Sequence, residues 1–333
     1  MRLIVADFLT GLRLGEWHAT GVQWEVERDK PGTISGSIID PHPSTILNRP
    51  HAVHVVYPDG SVPWTGIVWG VWPSSYDSTQ YRFEGAGWTS ILDFRKVRVN
   101  LSYNDVEQAT IVNDLLVLAQ YGANATLPWT LTTPSTGRAR DVTIKGEDRK
   151  SVLKYLTDWC DNIDGWDFRV VADVELDLEF QLLYPRDSRE THTILSRPGV
   201  QVGSWEDDWT FVANNIDITG KDDLAYTTYA NPETNWPRMD AEFSAESVSV
   251  MQTLIDKAAR YRDLLRYPLV EAEVIVTDGT SGVDWIGHDV RVIDSDVSGR
   301  DDTFQLTKVT GSWEGAVPKE VWTLEQTLRQ EEV

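Results

Sequence analysis

Histidine and cysteine are the side chains in this sequence most able to bind a metal or attack a substrate. His51 and His54 lie three residues apart around the start of an expected strand, and a metal pair there is the functional alternative to ordinary surface or packing histidines. The histidines form no HExxH or HxH pattern on an expected helix or strand. Cys160 is the only cysteine, which excludes an internal disulfide and a cysteine zinc site. Its place on the apolar stripe of an expected helix favours a buried thiol over a nucleophile.

A second metal candidate is the segment Asp294–Gly299, whose sequence is DSDVSG. Asp294, Asp296 and Ser298 satisfy the first half of a calcium-binding loop, and a glycine takes the sixth place. The twelfth place holds Gln305 instead of glutamate, and the flanking segments are expected to be strands, whereas an EF-hand needs helices. The pattern favours a polar hairpin connection and leaves calcium as the alternative.

Carboxylates dominate the charge of the chain. Asp and Glu outnumber Lys and Arg by 52 to 30, which gives a formal net charge of −22 at pH 7. Tight duplex binding is not expected, because it needs clustered basic residues. An acidic surface can instead repel phosphates and let DNA pass without sticking. The candidates for such a channel lining, or for solvated loops, are Glu206, Asp207, Asp208, Asp222 and Asp223.

No catalytic or cofactor site emerges from the remaining motifs. Carboxylates are so abundant that a glycosidase pair cannot be nominated by spacing, and no glycine-rich phosphate loop is present. The 15 tryptophans could form a sugar-stacking platform, but core and subunit-interface positions are the favoured explanation for most of them. We therefore expect no cofactor and no enzymatic activity.

The elements that position these residues fall into three parts. A chain of 333 residues predicts two or three domains. We predict a mixed, β-rich α+β fold with two small β-barrel or β-sheet domains, an intervening α/β unit and one long helix in the C-terminal third. The predicted domains span residues 1–102, 103–205 and 206–333.

Three helices are expected from the spacing of apolar residues. The first runs from a capping box at Asn104 and Glu107 to Gly122, and the second covers residues 148–162. The third covers residues 246–266 and ends before a proline. No export signal or transmembrane helix is predicted.

Several motifs, taken in order, resemble the minor tail proteins of siphophages that infect actinobacteria. The strand Trp64–Trp69 has the form W-x-G-x-V, and Tyr81–Leu92 continues with a strand, a glycine and a short helix before Arg95. The segment Trp285–Val292 is similar to the G-D-x-V strand entry of tail-hub proteins, with His288 standing between the glycine and the aspartate.

The resemblance implies the tail-hub architecture, which also occurs in baseplate hubs of contractile tails and in type VI secretion spikes. In that architecture three copies form a ring, and two β-barrel-like domains per copy mimic six tube-like units. It implies a virion structural protein: a homotrimeric hub at the distal end of the tail that joins the hexameric tail tube or distal tail ring to tip proteins or fibres.

The same resemblance implies the partners and the location. The partners would be the distal tail protein, the tape-measure protein and other tail-tip or fibre proteins, and viral DNA would pass through without specific binding. The location would be the tail tip of the virion, after assembly in the host cytoplasm. Two alternatives stay open: a receptor-binding adhesin that holds glycans on exposed tryptophans, and a tail-associated cell-wall hydrolase.

Overall fold

The computed structural model describes most of the chain. The described residues are 2–39, 50–74, 79–121, 125–160, 166–184, 191–208, 210, 212–221, 224–229, 237–245, 251–265, 269–294, 300–313 and 318–326. Most of them lie in β-strands and few in helices, which confirms the prediction of a β-rich fold. No helix among them is long and apolar enough to cross a membrane.

The elements follow the predicted change from strands to a mixed unit and back to strands. The N-terminal strands are β1 (Arg2–Asp7), β2 (Arg13–Trp17), β3 (Ala19–Glu27), β4 (Thr33–Ile39), β5 (His51–Val56), β6 (Trp64–Pro73) and β7 (Gln80–Gly87). The middle elements are α1 (Ile91–Phe94), β8 (Leu101–Glu107), α2 (Gln108–Ala119), β9 (Trp129–Thr132), β10 (Ala139–Ile144), α3 (Val152–Cys160), β11 (Asp167–Ala172) and β12 (Leu178–Leu183). The C-terminal elements are β13 (Thr191–Leu195), β14 (Val200–Asp208), β15 (Asn215–Gly220), β16 (Ala225–Tyr229), β17 (Asp240–Ala245), α4 (Met251–Leu265), β18 (Leu269–Val276), β19 (Asp289–Asp294), β20 (Arg300–Trp313) and β21 (Lys319–Gln326).

One sheet of thirteen strands joins the two ends of the described chain. Its main path runs β14-β18-β21-β20-β3-β4-β7-β6-β5-β1-β2, and β19 and β13 extend from β20. The link is β20, whose first half pairs with β19 and whose second half pairs with β3. The pairing strand β14 spans the predicted boundary at residues 205 and 206. The three domain ranges themselves stay predictions.

Two separate apolar cores lie along this sheet. The N-terminal core contains Trp24 and Phe83, and the C-terminal core contains Phe304 and Trp322. The Trp24 ring lies so close to Gly311 of β20 that a Cβ there would come within 1.9 Å of it. Glycine at position 311 therefore permits the close packing at the β3–β20 link.

Two further cores complete the described structure, and the first of them is the largest of the four. In the middle part, α2 and α3 pack with the three-stranded sheet β11-β12-β9 around Leu116 and Phe180. In the C-terminal part, α4 packs on the sheet β16-β15-β17 through Leu254 and Ala258. α4 lies inside the predicted range 246–266, and the rest of that range is outside the described residues.

The first two helices begin later than predicted. The capping box at Asn104 and Glu107 is wrong, because β8 pairs with β10 as far as Glu107 and places Asn104 in a strand. Glu107 is instead the N-cap of α2, and its carboxylate accepts a hydrogen bond from the Thr110 amide at 3.1 Å. α3 begins at Val152 because Arg149 adopts a left-handed conformation with φ of 47° after a short 3-10 turn.

Candidate functional site

The most distinctive surface feature is a row of carboxylates across the C-terminal sheet. Glu206 of β14 lies opposite Glu271 of β18, and Glu271 lies opposite Glu325 of β21. Directly opposed residues of antiparallel strands point to the same face of the sheet. Asp208 and Glu273 lie two residues along their strands from this row, on the same face. We call these five residues the acidic face.

The carboxylates of the acidic face repel one another at the centre of the row. Partial burial, followed by the charges of Glu325, Glu206, Asp208 and Glu273, raises the pKa of Glu271 above its usual value. Like charges placed directly opposite each other destabilise a sheet. The fold therefore retains an electrostatic cost at this position.

The predicted acidic residues divide among three environments. Glu206 and Asp208 belong to the acidic face, and hydrogen bonds from the Thr210 side chain and from the Thr210 amide, the latter at 2.8 Å, lower the pKa of Asp208. Asp207 points the other way and pairs with Arg300 through two hydrogen bonds, of 3.1 and 2.9 Å, that lower its pKa. Asp222 and Asp223 lie outside the described residues.

Sequence reasoning missed the three glutamates that complete the face. Glu271 and Glu273 alternate with apolar residues in the segment Val270–Val274. That period of two predicts one apolar and one acidic side of a strand. Glu325 alternates in the same way on β21. The alternation is visible in the sequence, but it does not reveal the strand registers that bring the three glutamates together.

Two buried polar junctions join distant parts of the chain. At the first, Arg28 after β3 donates to Asp167 of β11 at 2.7 Å and also to Gln305 of β20. Asp29 accepts a hydrogen bond from the Phe168 amide at 3.0 Å. The Arg28 and Asp167 side chains are only 11% and 4% exposed. This junction ties the N-terminal strands to the middle unit and to β20.

The second junction is built around the buried carboxylate of Glu320 in β21. One oxygen accepts from the Tyr57 hydroxyl at 2.6 Å, and the other accepts from Trp322 Nε1 at 2.8 Å and the Gly282 amide at 2.9 Å. Burial, followed by the charge of Glu320, raises the pKa of Tyr57. Because Tyr57 follows β5, this contact joins the two apolar cores of the large sheet.

A separate groove on the N-terminal sheet carries two exposed tryptophans. A β-bulge at Trp69 shifts the register of β6 against β7. A bulge turns a side chain away from its regular face, so Trp69 and Trp72 both line this groove beside Glu84. In the sequence, the alternation of Ile67, Trp69 and Val71 predicts a half-buried face of this strand. In the structure Trp69 is exposed and contacts the exposed ring of Phe94.

The two histidines gain no further metal ligands from the described residues. His51 and His54 are buried on opposite sides of β5, where His51 packs against Trp17 and His54 hydrogen-bonds Thr65 at 3.0 Å. Burial lowers the pKa of His54 to about 4. Within the described part of the chain, no group of three or more His, Cys, Asp or Glu side chains could hold a metal ion. Cys160 is buried, as predicted.

The calcium-loop candidate is only partly described. Asp294 is buried at the end of β19, and Asp296 and Ser298 lie outside the described residues. The flanking strands β19 and β20 pair as an antiparallel hairpin, which is the arrangement the hairpin interpretation predicts. Calcium binding by this segment stays an untested prediction.

Known proteins resemble this chain in structure and little in sequence. No family model matches the chain, and no curated protein matches it in sequence. In structure it is similar to the 43 kDa tail protein of prophage MuSo2 from Shewanella oneidensis, with a TM-score of 0.67 and 13% identity over 98% of both chains. It is also similar to a tail protein from Neisseria meningitidis, with a TM-score of 0.64 and 14% identity over 97% of this chain and 96% of that one.

A third similar structure comes from a secretion system. It is an Escherichia coli component of the type VI secretion system, described as structurally similar to the phage T4 tail proteins gp27 and gp5. The TM-score is 0.54 at 15% identity, over 92% of this chain and 73% of that one. The chain has the fold of phage tail proteins.

Proposed function

We propose that the chain is a structural subunit of a phage virion, a trimeric hub at the distal end of a siphophage tail. The observation that carries this proposal is the likeness to a prophage tail protein over 98% of both chains. The likeness to a type VI secretion component supports the narrower assignment to a hub. The motif resemblance to minor tail proteins supports a tail of the siphophage kind.

Symmetry gives the hub its mechanical role. The large sheet has two apolar cores, one on each side of the β3–β20 link. We assign each core to one tube-like unit, so that three copies of the chain present six units. A trimer built in this way can abut a hexameric tail tube or distal tail ring on one side and tip proteins or fibres on the other.

The acidic face is suited to line the conduit through which the tape-measure protein and viral DNA pass. Five carboxylates lie on one side of the C-terminal sheet, with Glu271 at the centre of the row. A wall of this charge repels phosphates, so DNA passes without binding. The repulsion at Glu271 destabilises the sheet, but the same charge keeps DNA from binding to the wall.

The exposed aromatic residues are suited to contacts with neighbouring subunits. Trp69, Trp72 and Phe94 are large apolar side chains on the surface of the N-terminal sheet. Aromatic residues are enriched where protein interfaces form. We assign this patch to contacts within the tail tip, where the distal tail protein and tip or fibre proteins are the proposed neighbours. The role is structural, with no catalytic step.

Light scattering of the purified chain tests the proposal. The expected result is a particle with three times the monomer mass of 37.7 kDa, alone or after addition of the distal tail protein. A variant with Trp69 and Phe94 both changed to Ala should associate less than the unchanged chain. A control variant with the exposed Val174 changed to Ala should associate as the unchanged chain does. A stable monomer at micromolar concentration that associates with no other tail protein would contradict the proposal.

A glycan-binding adhesin is the second candidate, and the groove between Trp69 and Trp72 is the observation that favours it. Exposed aromatic faces can stack on sugar rings. If this candidate is correct, purified host glycans should quench tryptophan fluorescence in the unchanged chain and much less in Trp72→Ala. Equal responses of the two proteins would exclude it.

A further inference from the structure

An open groove in the middle part of the chain collects basic side chains in an otherwise acidic protein. Its volume is about 740 Å³. One wall is the chain entering β8, and the other is the chain leaving β10. The basic residues that line it are Arg98, Lys145 and Arg149; we call this feature the basic groove.

The groove is a fixed part of the fold. Its walls continue the β8–β10 ribbon, in which Leu101 lies opposite Ile144. The Asn100 side chain accepts a hydrogen bond from the Gly146 amide at 2.8 Å, which joins the walls at the base. A Cβ at Gly146 would lie 2.5 Å from the carbonyl carbon of Arg98. Only glycine allows the walls to approach this closely.

The three cations of the groove lack partners among the described residues. Arg98, Lys145 and Arg149 are exposed, and none forms an ion pair with a described carboxylate. By contrast, the neighbouring Lys150 and Lys154 both pair with Asp158. In a chain with 52 acidic and 30 basic residues, three cations around one groove that have no partner among the described residues favour binding of an external anion.

We propose that the basic groove docks an extended, acidic segment of another protein. Asn100 and Ser102 supply hydrogen-bonding groups, and the half-buried Leu101 supplies apolar contact, a mixture that suits a peptide. The inference does not depend on the trimeric hub, because a single chain carries the groove.

Binding to a purified chain tests the inference without the virion. The probes are a labelled oligoglutamate peptide and a labelled oligothymidylate of the same length, followed by fluorescence anisotropy at low salt. The groove variant changes Arg98, Lys145 and Arg149 to Gln. The control variant changes three other exposed basic residues, Arg82, Lys221 and Lys319, to Gln, and so has the same net charge.

The groove variant should bind oligoglutamate roughly tenfold more weakly than the unchanged chain, a loss of about 1.4 kcal/mol. The control variant should stay within about twofold of the unchanged chain, below 0.5 kcal/mol by the same conversion. A charge-preserving variant with Arg98→Lys, Lys145→Arg and Arg149→Lys should restore binding, which guards against loss through misfolding.

Three results would overturn the inference: no oligoglutamate binding by the unchanged chain, equal weakening in the groove and control variants, or tighter groove-dependent binding of oligothymidylate. The last result would assign the groove to nucleic acid. None of the three bears on whether the chain forms a trimer, so failure here and failure of the hub proposal are distinguishable.

Discussion

The buried junctions and the acidic face use the same carboxylate chemistry in opposite ways. At the junctions each carboxylate has a donor: Asp167 has Arg28, and Glu320 has Tyr57 and two N–H groups. On the acidic face Glu271 lies between two other glutamates. Carboxylates that hold distant parts of the chain together are therefore paired with hydrogen-bond donors. Glu271, on the face where we propose that DNA passes, lies among other carboxylates instead.

The largest effect should come from breaking the Arg28–Asp167 pair. Asp167→Ala leaves the Arg28 guanidinium buried, which should lower the free energy of unfolding by about 3 to 5 kcal/mol. Urea denaturation measures this loss. Replacing both residues with apolar ones, Arg28→Met with Asp167→Leu, should cost less than the single change. A loss below about 1 kcal/mol in Asp167→Ala, as for an exposed pair, would show that this junction does not hold the three parts together.

A smaller loss should follow from opening the Glu320 junction. Tyr57→Phe removes one hydrogen bond to a buried carboxylate that keeps two others, so the expected loss is about 1.5 to 3 kcal/mol. Thermal unfolding measures it, with Tyr81→Phe at a half-buried position of the same sheet as the control. Equal stability of the two variants would show that the hydrogen bond from Tyr57 to Glu320 does not stabilise this junction.

On the acidic face a substitution should raise the free energy of unfolding instead of lowering it. Glu271→Gln removes repulsion and should raise the free energy of unfolding at pH 7 by up to about 1 kcal/mol. The pKa of Glu271 is raised in the folded state, so its contribution to stability is present below the unfolded pKa and is lost as pH rises through the folded pKa. The gain in the variant should therefore vanish in acid. A loss of stability at pH 7, with Glu84→Gln as control, would contradict this description of the face.

The smallest effect is expected at the exposed pair of Asp207 and Arg300. Asp207→Asn should lower the free energy of unfolding by about 0.3 kcal/mol, because exposed ion pairs contribute little and are screened by salt. Denaturation at low and high salt measures this. A loss as large as that in Asp167→Ala would show that the buried and the exposed ion pair contribute equally to stability.

Local patterns predicted more of the fold than of the acidic face. Alternation and helical spacing located most strands and the helices α2, α3 and α4, since these signals lie within a few residues. The link between β20 and β3 pairs Lys308 with Glu27, and no local pattern encodes a register across that separation. The acidic face depends on two such registers, β14 with β18 and β18 with β21, so only Glu206 and Asp208 were predicted.

Bulges explain the other misses. At Trp69 one extra residue in β6 turns a side chain that alternation had placed on a half-buried face. At Gly203 a register shift in β14 sets which side of the sheet Glu206 faces. A shift of one residue exchanges the two faces of a strand, so these positions could not be predicted by counting alone.

A density map of the whole tail tip tests the central claim most directly. The account predicts three copies of the chain at the end of the tail tube, with Glu271 and its neighbours directed at the lumen. Copies in another number, a position away from the tube, or an acidic face turned outward to the medium would contradict it.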